Sequence, residues 1–208
     1  MPRFVLASAS PARLEVLRKA GIDPVVRVSG VDEDALTAAL GSDPVPEDVV
    51  VALARAKAEA VLTEFDDAVV VGCDSMLSIG DELQGKPHSV DVARRRWAAM
   101  AGTSGDLLTG HAVVRVVGGR SVAVAVGCSS TRIHFSEPSS ADLEAYLASG
   151  EPLSVAGAFT LDGLGGWFVD RIEGDPSSVI GIGLPLVRRL LADVGTSLSE
   201  LWADSGNQ

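Results

Sequence analysis

Lysine is scarce in this chain: its 208 residues include only Lys19, Lys57 and Lys86, against fourteen arginines, and the formal net charge is −11. That balance argues against a broad positive field of the kind that holds a nucleic acid polymer, so any anionic ligand needs a local cluster, with a metal ion as its natural partner. Cysteine is scarcer still. Cys73 and Cys128 lie far apart without a CxxC pattern, and Cys73 falls inside an apolar run, where a buried inert thiol is expected. No stretch reads as a signal peptide or a membrane span, so the expected compartment is a reducing cytoplasm and no membrane partner is expected. There is no GxSxG elbow, and none of His88, His111 and His134 stands beside a plausible nucleophile, which argues against a serine hydrolase. No internal repeat is present.

What is there is apolar enough to fold: 47% hydrophobic and 22% charged residues suit one sizeable α/β domain or two small lobes sharing a core. The periodicity predicts a strand over 3–7, a helix over 11–20, a strand over 24–29, a loop, a helix over 46–63 and a strand over 68–74. A hairpin then turns at Gly80-Asp81, and Ser89 opens a helix that runs to Met100. Two Val-rich runs, 107–117 and 120–135, meet at Gly118-Gly119 as a second hairpin. A helix capped by Ser139, a glycine-rich loop from 158 leading into a strand near 169, and a helix over 184–194 complete the pattern. The tail, 197–208, reads as flexible. This is βαβ alternation, the signature of a layered α/β fold.

Four islands carry chemistry. The apolar stretch Phe4-Val5-Leu6-Ala7 runs into Ser8-Ala9-Ser10-Pro11-Ala12-Arg13, where Ser10 suits an N-cap and Pro11 the first helical position. Free backbone N–H groups beside Arg13 would receive a phosphate there, although serine and proline also start ordinary helices. The strand Val69-Val70-Val71-Gly72-Cys73 ends on Asp74. An acid at that end of an interior strand faces the crevice where α/β folds place ligands, and a turn aspartate is the plain alternative. Val31-Asp32-Glu33-Asp34 is either a solvated acidic loop or the source of a second carboxylate for a Mg²⁺ site. Gly80 to Lys86 satisfies the GxxxxGK part of a P-loop, but Pro87 replaces the Mg²⁺-binding hydroxyl and Asp81 and Glu82 repel phosphates, so that reading fails. Lys86 remains as a cation on a Gly-Lys-Pro loop or as a surface lysine in a turn. Lys57, within Ala54-Arg55-Ala56-Lys57-Ala58, reads on local pattern as an exposed helical lysine.

Together these islands resemble the Maf family of nucleoside triphosphate pyrophosphatases, a fold related to the inosine triphosphatases. The resemblance rests on Leu6 to Pro11, Arg55 to Ala58, Gly72 to Ser75 and Gly85-Lys86-Pro87. It continues through Glu151-Pro152, Ala156-Gly157-Ala158, Gly163-Leu164-Gly165, Ile172 to Asp175 and Gly183 to Leu186, in order from about Phe4 to Leu191. It implies an α/β fold, a mixed twisted sheet with flanking helices and two lobes around a central cleft, forming a single Maf-like domain with its core over about 3–192. It also implies hydrolysis of the α-β phosphoanhydride of a nucleoside triphosphate, with Asp74 as proton acceptor. Ser8, Ser10, Arg13, Lys57 and Lys86 would hold the triphosphate, and Glu33 with Asp74 a divalent cation, Mg²⁺ or Mn²⁺. A homodimer is implied as well.

The chain departs from the family pattern at three specificity positions. Ala12 stands where members acting on thymidine and uridine triphosphates have an arginine, Ser75 replaces a threonine, and Asp162 replaces a glutamine. Glutamine both donates and accepts, whereas an ionised aspartate only accepts, so Asp162 facing the base would favour guanine or cytosine. Two other functions share the same charged residues: a division-linked nucleotide-binding regulator with little turnover, and a phosphatase removing the γ-phosphate.

Overall fold

A computed structural model describes residues 2–80 and 82–205. Strand β1 (Arg3–Leu6) is buried on both faces from Phe4 on, as an interior parallel strand must be. It lies between β2 (Val25–Val26) and β3 (Asp67–Ile79) and runs parallel to both, pairing Val5 with Val25 on one side and Leu6 with Val71 on the other. Helix α1 (Pro11–Lys19) connects β1 to β2, and α2 (Glu33–Ala39) and α3 (Pro46–Glu59) carry the chain on to β3. After these come β4 (Glu82–Gln84), α4 (Val90–Met100), β5 (Ser104–Val117), β6 (Arg120–Phe135), α5 (Ser140–Ala148), β7 (Val169–Glu173), α6 (Pro176–Ile180), α7 (Leu184–Asp193) and α8 (Leu198–Ser205). The sheet order is β2-β1-β3-β5-β6-β7, with β4 paired to β3. This is the layered α/β fold that the sequence pattern predicts, with the mixed sheet and helices that the family resemblance implies.

The chain divides into two compact units. One holds the described residues up to Asp74, Thr109–Ser129 and those from Gly181 on; the other holds Ser75–Leu108 and Ser130–Ile180. In the first unit the strand period of two sorts side chains to opposite faces of the sheet. Phe4, Leu6, Val69, Val71, Cys73 and Val113 pack with Leu17 of α1 and Leu186, Leu190 and Leu191 of α7. Val5, Ala7, Ala68, Val70, Ala112 and Val114 pack with Ala54 and Ala58 of α3. Cys73 is thus a core residue, and burial pushes its thiol up to about 12. The second unit is built around Trp97, whose ring meets Phe135, Tyr146 and Phe168 edge-on and whose Nε1 donates to the Ala158 carbonyl at 2.8 Å.

Several elements follow the sequence closely. Ser10, Ser89 and Ser139 each cap a helix through their side chains. Gly118 and Gly119, at φ +58° and +69°, form the tight turn between β5 and β6, since two successive positive φ values are what such a hairpin demands. The pairing of Leu77 with Gln84 closes the hairpin expected near Gly80, while Asp81 lies outside the described residues.

Three expectations are corrected. The expected strand over 24–29 narrows to Val25–Val26. The acidic run read as a loop starts α2: Asp32 Oδ1 accepts the Ala35 N–H at 3.0 Å, and Glu33 and Asp34 sit in the first turn, where the helix dipole favours acids. The tail read as flexible from 197 instead forms α8, because Leu201 is buried in the α1/α7 core and Trp202 Nε1 donates to the Ala20 carbonyl at 3.0 Å. Residues 206–208 of that tail lie outside the described residues. No helix among the described residues is long and apolar enough to cross a membrane.

Candidate active site

The corner between β1 and α1 is already wired internally. Ser8 Oγ accepts the Ser10 N–H at 3.2 Å and the Arg13 Nη1 at 2.9 Å, while Ser10 Oγ accepts the Arg13 backbone N–H at 3.4 Å. Arg13 reaches back over the sheet: Nη1 donates to the Cys73 carbonyl at 2.9 Å and Nε to the Gly181 carbonyl at 2.8 Å. A helix N-terminus and an oriented guanidinium therefore share one corner, next to the residue that follows Cys73. Ala12 sits half-buried on the first turn of α1.

Asp74 has the parity of Ala68, Val70 and Gly72, so its side chain leaves β3 on the α3 side. Gly72 lets that helix come close: a Cβ there would lie 2.0 Å from the Ala54 carbonyl oxygen. Lys57, one turn further along α3, consequently meets Asp74, with Nζ 2.6 Å from Asp74 Oδ1 and 2.7 Å from Glu33 Oε1. One ammonium thus holds two carboxylates. Lys57 is buried, which corrects its reading as an exposed helical lysine. Burial drives the Asp74 carboxyl above the ordinary aspartate range, Lys57 and Arg13 pull against that, and Glu33 adds to it. Asp74 Oδ2 is buried with no hydrogen-bond partner among the described residues.

The remaining sequence-predicted residues belong to the second unit. Ser75 follows Asp74 on β3 and is half-buried. Lys86 is exposed, on a loop whose ends are pinned: the Gly85 carbonyl accepts Arg96 Nη1 at 2.6 Å and the Gly157 N–H at 3.3 Å, and Pro87 is buried. Asp162 is exposed on the bend before Gly163. That bend is gathered by Glu151, whose carboxylate accepts the Thr160 hydroxyl and the Leu164 and Gly165 N–H groups, each of the latter at 3.1 Å. Burial pushes Glu151 upward, but these hydrogen bonds outweigh it and hold the carboxyl below its usual range.

A family model described as Maf-like protein matches residues 3–194. The chain belongs to the Maf family. Relatives match from end to end: a protein of Rhodococcus opacus is 70% identical over 211 residues, covering 99% of each chain. One of Nocardia farcinica is 68% identical over 203 residues, covering 96% of each, and one of Mycobacterium leprae is 57% identical over 208 residues, covering 98% of each. All three are named nucleoside triphosphate pyrophosphatase.

Two polar residues of this Maf chain escape a reading of sequence alone. Glu151 stands out only through its Glu-Pro pair, and Arg96 is one of three consecutive arginines on α4 with nothing to single it out. Besides the Thr160 hydroxyl on Glu151, they hold backbone atoms of Leu164, Gly165 and Gly85, which leave no trace in side-chain patterns.

Proposed function

We propose that this chain is a nucleoside triphosphate pyrophosphatase that uses water to cleave between the α and β phosphates, releasing a nucleoside monophosphate and pyrophosphate. Its Maf membership and the names of its relatives support the reaction class. The observation that carries the residue assignment is the buried Asp74 carboxylate, with one oxygen on Lys57 and the other without a partner among the described residues.

In this reading Asp74 Oδ2 orients a water and takes its proton as the oxygen attacks the α-phosphorus. Arg13, the N–H groups at the start of α1, Lys57 and Lys86 neutralise the phosphates, with Ser8 and Ser10 shaping the corner around them. Negative charge builds on the leaving pyrophosphate, so the cations contribute most in the transition state. Asp162, with Ala12 and Ser75, is assigned to the choice of base.

Among the described residues no three His, Cys, Asp or Glu side chains converge as a protein-only metal cage. The donor set instead fits Mg²⁺ or Mn²⁺, which take one or two carboxylates and complete their shell with waters and substrate phosphates. The Asp74 carboxylate and Glu33, which share the Lys57 ammonium at 2.6 and 2.7 Å, would hold the cation. When bound, it supplies charge neutralisation at the phosphate oxygens. We further assign the protein to a reducing cytoplasm and to the homodimer that its family resemblance implies.

The test is direct. Purified protein with Mg²⁺ or Mn²⁺ and a panel of ribo-, deoxyribo- and modified nucleoside triphosphates should release pyrophosphate and no orthophosphate. Orthophosphate alone would make it a γ-phosphatase, and neither product would make it a nucleotide-binding regulator.

A further inference from the structure

His111, on β5, is completely buried in the first unit, where an apolar side chain of similar size would pack without a desolvation cost. Its Nε2 accepts the backbone N–H of Gly183 at 2.8 Å. An amide N–H can only donate, so this ring nitrogen carries no proton and the imidazole is the neutral form protonated at Nδ1. Burial, reinforced by the nearby Arg13 guanidinium, favours the same form and lowers the imidazole to about 4.

Gly183 is the N-cap of α7, where no side chain among the described residues caps the helix, and two residues before it stands Gly181, whose carbonyl receives Arg13 Nε at 2.8 Å. The short segment 181–183 is closely confined. Gly181 adopts φ +147°, and a Cβ there would come within 3.0 Å of Arg13 Cγ, while the Ile182 side chain is sealed into the core. Two backbone carbonyls, together with Ser8 Oγ, thus aim the guanidinium. That of Cys73 is fixed by the sheet; that of Gly181 belongs to a segment anchored by Ile182 and by the His111 hydrogen bond.

We propose that His111 is a positioning residue for Arg13: by accepting the Gly183 N–H it fixes the Gly181 carbonyl that, with the Cys73 carbonyl, points the guanidinium at the substrate phosphates. The inference rests on the reading of Arg13 as a phosphate-binding group. Its signature is a dependence of substrate affinity on a histidine that touches no substrate, transmitted through a single arginine.

The experiment compares His111→Met, which fills the space without an acceptor, with His111→Gln, whose amide oxygen takes the place of Nε2. Each is made in the native chain and in an Arg13→Ala background, and pyrophosphate release is measured against nucleotide concentration. His111→Met should raise KM about tenfold, the scale of one misdirected charged hydrogen bond, with a smaller change in kcat. His111→Gln should restore KM, and in the Arg13→Ala background His111→Met should add nothing. If His111→Met does not fold, His111→Asn replaces it, since its shorter amide cannot reach the Gly183 N–H. An unchanged KM, or the same fold-loss with and without Arg13, would overturn the inference while leaving the pyrophosphatase reading intact. A native chain without turnover on any triphosphate would overturn that reading and the inference with it.

Discussion

Lys57 Nζ lies 2.6 Å from Asp74 Oδ1, and the two side chains are only 10% and 8% exposed. In the proposed mechanism this pair sets the acid side of the pH profile. Asp74 must be ionised to take a proton, and burial already holds its carboxyl above the ordinary aspartate range, with Lys57 the largest opposing pull. Activity should therefore rise with pH through the Asp74 titration. In Lys57→Met that limb should move to higher pH, because the opposing charge is gone and burial remains. The kcat/KM profile of both proteins reads this directly; a limb that stays in place would remove Lys57 from the electrostatics of Asp74.

Asp74→Asn keeps the shape of the side chain and removes the proposed base. Turnover should fall by about 10²–10⁴-fold, the usual worth of a positioned general base, while nucleotide affinity by calorimetry changes little. A variant with native kcat would strip Asp74 of its role.

Chelation should abolish pyrophosphate release, and added Mg²⁺ should restore it. Glu33→Gln should then need about tenfold more Mg²⁺ for half-maximal rate, as expected when one carboxylate of a two-carboxylate set is neutralised. A Mg²⁺ titration identical to that of the native protein would leave Glu33 as a partner of Lys57 alone.

Asp162 should direct base choice. The native chain should favour guanosine or cytidine triphosphate over uridine triphosphate, and Asp162→Asn, which adds a donor, should narrow that preference. Identical guanosine-to-uridine ratios of kcat/KM for the two proteins would dissociate Asp162 from the base.

Glu151 should support the fold in a pH-dependent way. Its folded-state carboxyl lies below the ordinary glutamate value, so its contribution is present above that value and is lost as pH falls toward the folded one. Thermal melts should show Glu151→Gln less stable than the native protein at neutral pH, by about 1–2 kcal/mol for the weakened hydrogen bonds, with the gap closing in acid. A gap that is constant with pH would mean that the charge of Glu151 plays no part.

The fold was legible wherever chemistry is local. Ser10, Ser89 and Ser139 cap helices through atoms three residues away, and Gly118-Gly119 turns a hairpin on its own φ angles. Helix α8 was not legible, because its order depends on Leu201 reaching a distant core and on Trp202 reaching Ala20. At the candidate site the residue types were readable but their wiring was not. Lys57 reads as a surface lysine until β3 brings Asp74 beside it, and His111 reads as idle until the Gly183 N–H is seen.

Helix α3 rests against two strands at places where side chains are missing. An added Cβ would fall 2.0 Å from the Ala54 oxygen at Gly72 and 2.2 Å from the Val50 backbone at Gly110. The depth at which α3 sits, and with it the reach from Lys57 to Asp74, is therefore gauged by two hydrogen atoms. In a mutational scan scored on turnover, positions 72 and 110 will look like contact residues for the substrate, although what they hold is the spacing between a helix and a sheet.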